Sequence, residues 1–150
     1  MKDSIGIIGQ GFVGTAVREG LKSVFHIETY DKFKQSSCDS LEQLCSRVKI
    51  IFVCLPTPMK KDGSCDLSIV TNTILELDRH SNSHIAVIKS TMPPGSTKTL
   101  NEKCRNLQVV FNPEFLTEAN YIDDFKNQTR IIIGGPRPAS TKVKDLYKKA

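Results

Sequence analysis

The sequence predicts an α/β fold, a doubly wound parallel sheet of about six strands with helices on both faces. Three observations predict it. Short apolar runs alternate with segments of helical periodicity from one end of the chain to the other. The connections between them are short, which with the right-handed crossover rule leaves few topologies besides neighbouring parallel strands. Finally, each unusual polar segment (Gly9 to Gly14, Pro56-Thr57-Pro58, Lys89 to Gly95, Asn112 to Glu118) comes directly after an apolar run. In an open parallel sheet, ligands bind beyond the carboxyl ends of the strands, so these segments are expected to converge on one rim. The 150 residues suffice for a single domain with one continuous core.

The first run, Ile5-Gly6-Ile7-Ile8, leads straight into Gly9-Gln10-Gly11-Phe12-Val13-Gly14, a G-x-G-x-x-G spacing. At such a strand-to-helix turn Gly9 makes the tight bend, Gly11 admits a pyrophosphate to the backbone, and Gly14 lets helix and strand pack closely. The helix, opening at Phe12 and Val13, then aims free N–H groups and its positive dipole end at the anion. Val13, Ala16, Val17, Gly20 and Leu21 fall on one stripe of it. A second strand, Phe25 to Tyr30, ends at Asp31, roughly 20 residues after the glycines, where a carboxylate takes a ribose hydroxyl. The pattern is that of the Rossmann fold, and it predicts NAD rather than NADP, bound by Gly9, Gly11, Phe12, Val13, Gly14 and Asp31.

Ser40-Leu41-Glu42-Gln43 has capping-box spacing and opens a short helix to about Arg47. Val48 to Leu55 is nearly unbroken apolar sequence around Lys49, as in a strand buried on both faces, and two prolines end it. After a loop with Asp62-Gly63, a helix near Asp66 to Arg79 carries Leu67, Val70, Ile74 and Leu77 on one stripe. Ile85 to Ile88 is the fourth strand, and Ser96 or Thr97 is expected to cap the following helix. Gln108 to Phe111 makes a fifth strand, with a short helical turn after Glu118. Arg130 to Ile133 makes a sixth, ended by Gly134-Gly135-Pro136, and Ser140 opens a last helix with Val143, Leu146 and Tyr147 on one side.

Hydrophobic content of 39% and charged content of 25% are those of an ordinary globular chain, without the long apolar run that a membrane span requires. Met1-Lys2-Asp3-Ser4 passes directly into the first strand and leaves no room for a signal peptide, so a cytoplasmic setting is expected. The net charge is +5, but the lysines are spread along the chain, with a modest concentration at Lys142, Lys144, Lys148 and Lys149. Without an arginine-rich arm or basic residues interleaved with aromatics, a surface that tolerates anionic ligands is expected rather than a nucleic-acid interface. Cys38, Cys45, Cys54, Cys65 and Cys104 are scattered, with no Cys-x-x-Cys pair and no clustered histidine. They read as reduced packing thiols and not as metal ligands.

Taken together, the segments resemble the amino-terminal, cofactor-binding domain of the UDP-glucose/GDP-mannose dehydrogenases. The resemblance is carried by Gly9 to Gly14, by Leu55-Pro56-Thr57-Pro58 with Gly63 and Asp66, and by Lys89-Ser90-Thr91-Met92-Pro93-Pro94-Gly95-Ser96-Thr97. Asn112-Pro113-Glu114-Phe115-Leu116, with Glu118, Asp124, Arg130 and Gly134, completes it. The motifs run in family order over nearly the whole chain. What they imply is an NAD-dependent oxidation of a nucleotide sugar's C6 alcohol to a carboxylate, in two hydride transfers through a thiohemiacetal and a thioester on a cysteine. By the same resemblance Glu114 is the acid/base residue, acting through a water that Thr91 helps to hold, and Thr91 also lies at the cofactor. Glu114, Phe115 and Leu116 line the sugar site, while Thr57 and Glu118 lie by the nicotinamide half of NAD.

Chemistry agrees with the assignment of Glu114: taking a hydride from an alcohol carbon requires the hydroxyl proton to leave, and a carboxylate at a strand end on the cofactor rim can accept it. The competing reading of Glu114 is an acid at a helix start, favoured by the dipole. Thr57 and Thr91, read without the family, are loop hydroxyls bonded to their own backbone. Family members commonly carry a basic residue at Thr117, a small one near Tyr121 and a proline near Gln128. The family's central helix, with its catalytic lysine and amide, and the carboxy-terminal domain bearing the nucleophilic cysteine have no counterpart in these 150 residues. None of the cysteines stands in a glycine-rich segment: Cys54 is expected inside a strand, Cys65 in a loop before a helix and Cys104 on a helix. The expected partners are therefore a nucleotide-sugar substrate and a carboxy-terminal half, or a partner chain supplying it. Two other readings are a non-catalytic dinucleotide or nucleotide-sugar binding module and a β-hydroxyacid dehydrogenase. The latter shares the glycine start but is set apart by Asn112 to Leu116.

Overall fold

Residues 2–150 are described by a computed structural model. The elements run β1 (Ser4–Ile8), α1 (Phe12–Leu21), β2 (His26–Tyr30), α2 (Leu41–Arg47), β3 (Ile50–Val53), α3 (Ser68–His80), β4 (His84–Ile88), α4 (Ser96–Lys103), β5 (Leu107–Phe111), α5 (Tyr121–Lys126) and α6 (Ala139–Lys148). The strands lie in the order β2-β1-β3-β4-β5, and every pair is parallel. The winding reverses between β1 and β3, which makes their carboxyl ends the switch point of the sheet.

Strand residues alternate between two cores because successive side chains in a strand point to opposite faces. Ile8, Ile51, Val53, Ala86, Ile88 and Val109 pack with Leu44, Val70, Ile74 and Leu100 of α2, α3 and α4. Ile5, Ile7, Phe52, Val87 and Val110 pack with Val17, Leu21, Phe125, Val143 and Leu146 of α1, α5 and α6. Both faces are thus buried, which is why the central strands read as continuous apolar runs.

Several boundaries differ from the sequence expectation, each for a local reason. Ser40 caps α2 as expected, with the Gln43 N–H donating to its Oγ at 3.1 Å, but the Gln43 side chain returns to the Asp39 N–H at 2.7 Å. The reciprocal arm of the box therefore reaches back one residue further. Neither Ser96 nor Thr97 caps α4; the cap is Gly95 at φ +87°, and the Ser96 hydroxyl donates to the Pro93 carbonyl at 2.8 Å. Cys54 lies just past β3, and Cys104 closes α4 from outside it. All five cysteines are free thiols. Burial pushes Cys45 and Cys104 up to about 11 and Cys54 up to about 12, as fits packing groups.

The sixth strand does not form. Residues 130–133 carry no strand pairing, and the segment meets β5 only at an antiparallel bridge, where Gly134 and Phe111 exchange N–H···O bonds of 2.7 and 2.8 Å. The outward edge of β5 is already occupied elsewhere. The Asn101 amide of α4 donates to the Val109 carbonyl at 2.9 Å and accepts its N–H at 2.8 Å. One step earlier the Leu107 N–H donates to Asp78 Oδ1 at 3.0 Å. With those groups taken, the apolar run at 131–133 has no ladder to join, and Ile131 and Ile132 stay exposed. On the opposite edge of the sheet, Ser37 Oγ accepts the Thr29 N–H at 2.8 Å and the Cys38 N–H donates to the Thr29 carbonyl at 2.9 Å.

Candidate active site

Tyr30, Ile8, Val53, Ile88 and Phe111 stand in register as one row across the sheet. Every segment that the sequence singled out starts just after this row. Four hydrogen bonds continue the ladder into the loops: Gly9 N–H to Tyr30, Cys54 N–H to Ile8, Lys89 N–H to Val53 and Asn112 N–H to Ile88, at 2.9, 2.8, 2.9 and 3.0 Å. The convergence on one rim follows directly from that shared register. The buried Ser90 ties two of the loops together, its hydroxyl donating to the Leu55 carbonyl at 2.6 Å and accepting the Leu55 N–H at 3.1 Å.

The glycines take the places their spacing assigns. Gly9 sits at φ +93°, a conformation L side chains rarely adopt. A Cβ on Gly14 would overlap the Gly9 carbonyl oxygen, so helix and turn can touch only through a glycine. Gly11 faces open space, with nothing within 4 Å of a Cβ built on it. No side chain caps α1, so its first N–H groups remain available at that opening. Phe12 is partly exposed beside it and meets Tyr121 edge to face, ring centres 6.0 Å apart, while Val13 is half-buried.

Asp31 folds the neighbouring loop around its carboxylate. Oδ1 accepts the Phe33 and Lys34 N–H groups at 2.8 and 3.0 Å, and Oδ2 accepts the Gln10 N–H at 2.6 Å. Burial acts to raise this carboxyl, but the three N–H donors and the Lys34 charge outweigh it and hold it below its ordinary value. A carboxylate offers about four lone-pair sites, so Oδ2 keeps one free for a further donor. A cavity of about 280 Å³ opens here, lined by Asp31, Lys34, Ser36 and Cys38 among others. The chemistry of these groups, a carboxylate with a free lone pair beside an open glycine and an uncapped helix start, fits the adenosine end of a dinucleotide.

The third part of the rim is a buried polar cluster. Glu114 follows β5 but its carboxylate turns inward, onto the Lys89 ammonium, with the two side chains 6% and 1% exposed. It does not stand at a helix start, since α5 begins only at Tyr121, so the dipole reading is set aside. Apart from that ion pair, neither carboxylate oxygen has a hydrogen-bond partner among the described residues. Lys89 Nζ also donates to Asn112 Oδ1 at 2.7 Å and to the Tyr147 hydroxyl at 3.2 Å, and Tyr147 donates in turn to Asn112 Oδ1. Asn112 Nδ2 donates to the Ile132 carbonyl at 2.8 Å, which fixes its orientation. Burial acts to pull Lys89 down, while the Glu114 carboxylate in contact with it favours the ammonium, and burial also raises Tyr147.

The remaining expected residues are near the rim in less committed positions. Thr91 and Glu118 are exposed and Thr57 is half-buried. Phe115 is 66% exposed, and Leu116 packs at the margin of the α1, α5 and α6 core. No hydrogen bond joins Thr91 to Glu114 among the described residues. Thr117 is engaged by Asp124 Oδ2, which accepts its N–H at 2.9 Å. Sequence reasoning missed Lys89, Asn112 and Tyr147 as a unit. The signal was a lysine closing an otherwise apolar strand, and a tyrosine on the apolar stripe of the last helix whose hydroxyl needs a buried partner.

The family model described as UDP-glucose/GDP-mannose dehydrogenase family, NAD binding domain, matches residues 17–150. A UDP-glucose 6-dehydrogenase from Rickettsia bellii is 42% identical over 89 residues, which is 56% of this chain and 20% of that protein. One from Pseudomonas aeruginosa is 31% identical over 140 residues, 85% of this chain and 31% of that protein. The solved UDP-glucose dehydrogenase of the hyperthermophilic archaeon Pyrobaculum islandicum superposes with a TM-score of 0.84 at 25% identity, over 99% of this chain and 44% of that one. The chain thus spans less than half the length of each of these proteins. The chain belongs to the UDP-glucose/GDP-mannose dehydrogenase family and corresponds to its NAD-binding domain.

Proposed function

We propose that this chain is the cofactor-holding part of an enzyme that oxidises the C6 alcohol of a UDP- or GDP-sugar to a carboxylate, with Glu114 as its acid/base residue. The observation that carries the reading is the shared rim: the glycine turn, the Asp31 carboxylate and the buried Glu114 all leave the sheet from one register row. Bound NAD supplies the hydride acceptor. Gly11 and the start of α1 would seat its pyrophosphate, and Asp31 its adenosine ribose. Glu114, through a water, would take the hydroxyl proton as the hydride leaves, with Phe115 and Leu116 against the sugar and Thr57, Thr91 and Glu118 near the nicotinamide.

The second oxidation needs a thiolate to add to the aldehyde, so that the tetrahedral adduct can lose a hydride and the resulting thioester can be hydrolysed. Cys38 and Cys45 are buried, burial holds Cys54 and Cys104 as thiols, and Cys65 is tied into the loop before α3 by a bridge to Met59, outside a glycine-rich segment. We therefore place the nucleophile outside these residues, in a carboxy-terminal half or a partner chain. The test is NAD reduction with UDP-glucose, UDP-N-acetyl sugars and GDP-mannose. The 150 residues alone should give none, and fusion to a family-type carboxy-terminal half should restore it. In that fusion Glu114→Gln should lose on the order of 100-fold or more in kcat, with NAD affinity little changed. Sugar oxidation by the chain alone, or an unimpaired Glu114→Gln fusion, would overturn the assignment. A non-catalytic binding module, the alternative, predicts NAD binding with no turnover in any fusion.

A further inference from the structure

We propose that Lys89 is the positioning residue of Glu114: its buried ammonium keeps that carboxylate ionised and directed, and Asn112 and Tyr147 hold the ammonium in place. The inference rests on the reading of Glu114 as the base. Its first support is a count of donors. An ammonium has three N–H groups, and Lys89 Nζ faces three acceptors: Glu114 Oε1, Asn112 Oδ1 and the Tyr147 hydroxyl. A neutral amine would leave one of them without a donor.

The acceptors are themselves held to that role. Asn112 turns Oδ1 toward Lys89 because its Nδ2 is committed to the Ile132 carbonyl. Tyr147 spends its proton on Asn112, which leaves its oxygen to accept from Lys89. The second support is what Glu114 lacks. With no other polar partner among the described residues, its carboxylate has only Lys89 to offset the cost of burial, and a buried carboxylate without such a partner takes up a proton. The groups that face Lys89 are Glu114 and Asn112 from the loop after β5, Tyr147 from α6, Cys54 at the end of β3, and the Phe125 ring of α5 with its centre 5.7 Å away. Glu114 is the anion of this set, so the charge balance of the cluster is the pair itself.

The pairing can be read in the chain without any turnover. Infrared spectra of Lys89→Met at neutral pH should show the C=O stretch of a protonated carboxylic acid that wild type lacks and that Lys89→Met/Glu114→Gln loses again. A Lys89→Met chain whose Glu114 stays ionised overturns the proposal. Should Lys89→Met not fold, Glu114→Gln with ¹³C-labelled lysine gives the reciprocal measurement: the Lys89 titration should move down by roughly 1–3 pH units. An unchanged midpoint overturns the proposal equally. In the fused enzyme Lys89→Met should move the acidic limb of kcat upward by roughly 1–3 pH units, and Lys89→Arg should restore it. A loss of kcat that is uniform across pH would mean a structural role only, against the proposal. An active Glu114→Gln fusion would sink the base assignment and, with it, the catalytic meaning of Lys89, while the infrared result would still report the pair.

Discussion

The Asp31 carboxylate organises its own loop, and in the proposed function it also takes a ribose hydroxyl, so one substitution removes both roles together. Asp31→Ala removes the acceptor for the Gln10, Phe33 and Lys34 N–H groups as well as the proposed ribose contact. It should weaken NAD binding about tenfold or more, since a hydrogen bond to a charged group contributes roughly 1.5–3 kcal/mol. NADP should weaken less, because its 2'-phosphate is repelled by the wild-type carboxylate. Calorimetric titration of both cofactors checks this, and equal binding of NAD and NADP by wild type would refute the preference. Glu28 carries a different kind of consequence. The Ser37 hydroxyl, with His26, Arg47 and Cys38 behind it and burial opposing, holds its carboxyl at about 2 instead of 4.5. A depressed folded-state value means the contribution is fully present above the unfolded value and disappears as pH falls from about 4.5 to about 2. The hydrogen bonds of Glu28 and its Arg47 partner lie at the surface, where solvent screening leaves on the order of 1 kcal/mol. Urea unfolding should therefore show a loss over that window, blunted in Glu28→Gln.

The turn between β1 and α1 and the contact between α4 and β5 show what a sequence can and cannot announce. Gly9, Gly11 and Gly14 were readable because each role depends on one residue and its own backbone: a left-handed bend, an opening, a touching point. Gly14→Ala should accordingly abolish cofactor binding, measurable by NADH fluorescence, since its Cβ has nowhere to go but into the Gly9 carbonyl. The fate of 130–133 was not readable. Its apolar run has a strand pattern, yet pairing depends on whether β5 still offers free groups, and Asn101, on a helix earlier in the chain, has taken them. The same holds for the polar cluster, whose members come from the residue after β4, the loop after β5 and α6 and meet only in the folded chain. Glu114 stood out by its flanking motif, but its inward turn onto Lys89 did not show in the sequence. Asn101→Ala should cost about 1–3 kcal/mol, the penalty of leaving the Val109 N–H and C=O groups unpartnered, and should appear as a lower urea midpoint with unchanged slope.

At the scale of the whole molecule, the two cores are opposite sides of the same strands, so neither helix layer can come away without exposing the sheet that supports the other. Thermal unfolding followed by circular dichroism and by tyrosine fluorescence should give one coincident transition. Separate midpoints would show that the α1, α5 and α6 layer holds independently. The rim, meanwhile, is open toward solvent at Phe12 and Phe115, while Lys89 and Glu114 lie buried beneath it. The borders of the sheet behave differently from the rim. Asp78, Asn101 and Gly134 occupy one border, and Ser37 and Cys38 occupy the other. Among the described residues a strand from a neighbouring molecule would find no row of vacant amides on either border to copy itself onto, which disfavours templated, fibre-like growth through this sheet. Any polypeptide that joins it productively must come in over the strand ends or against the helices, where side chains choose the partner and backbone hydrogen bonding does not.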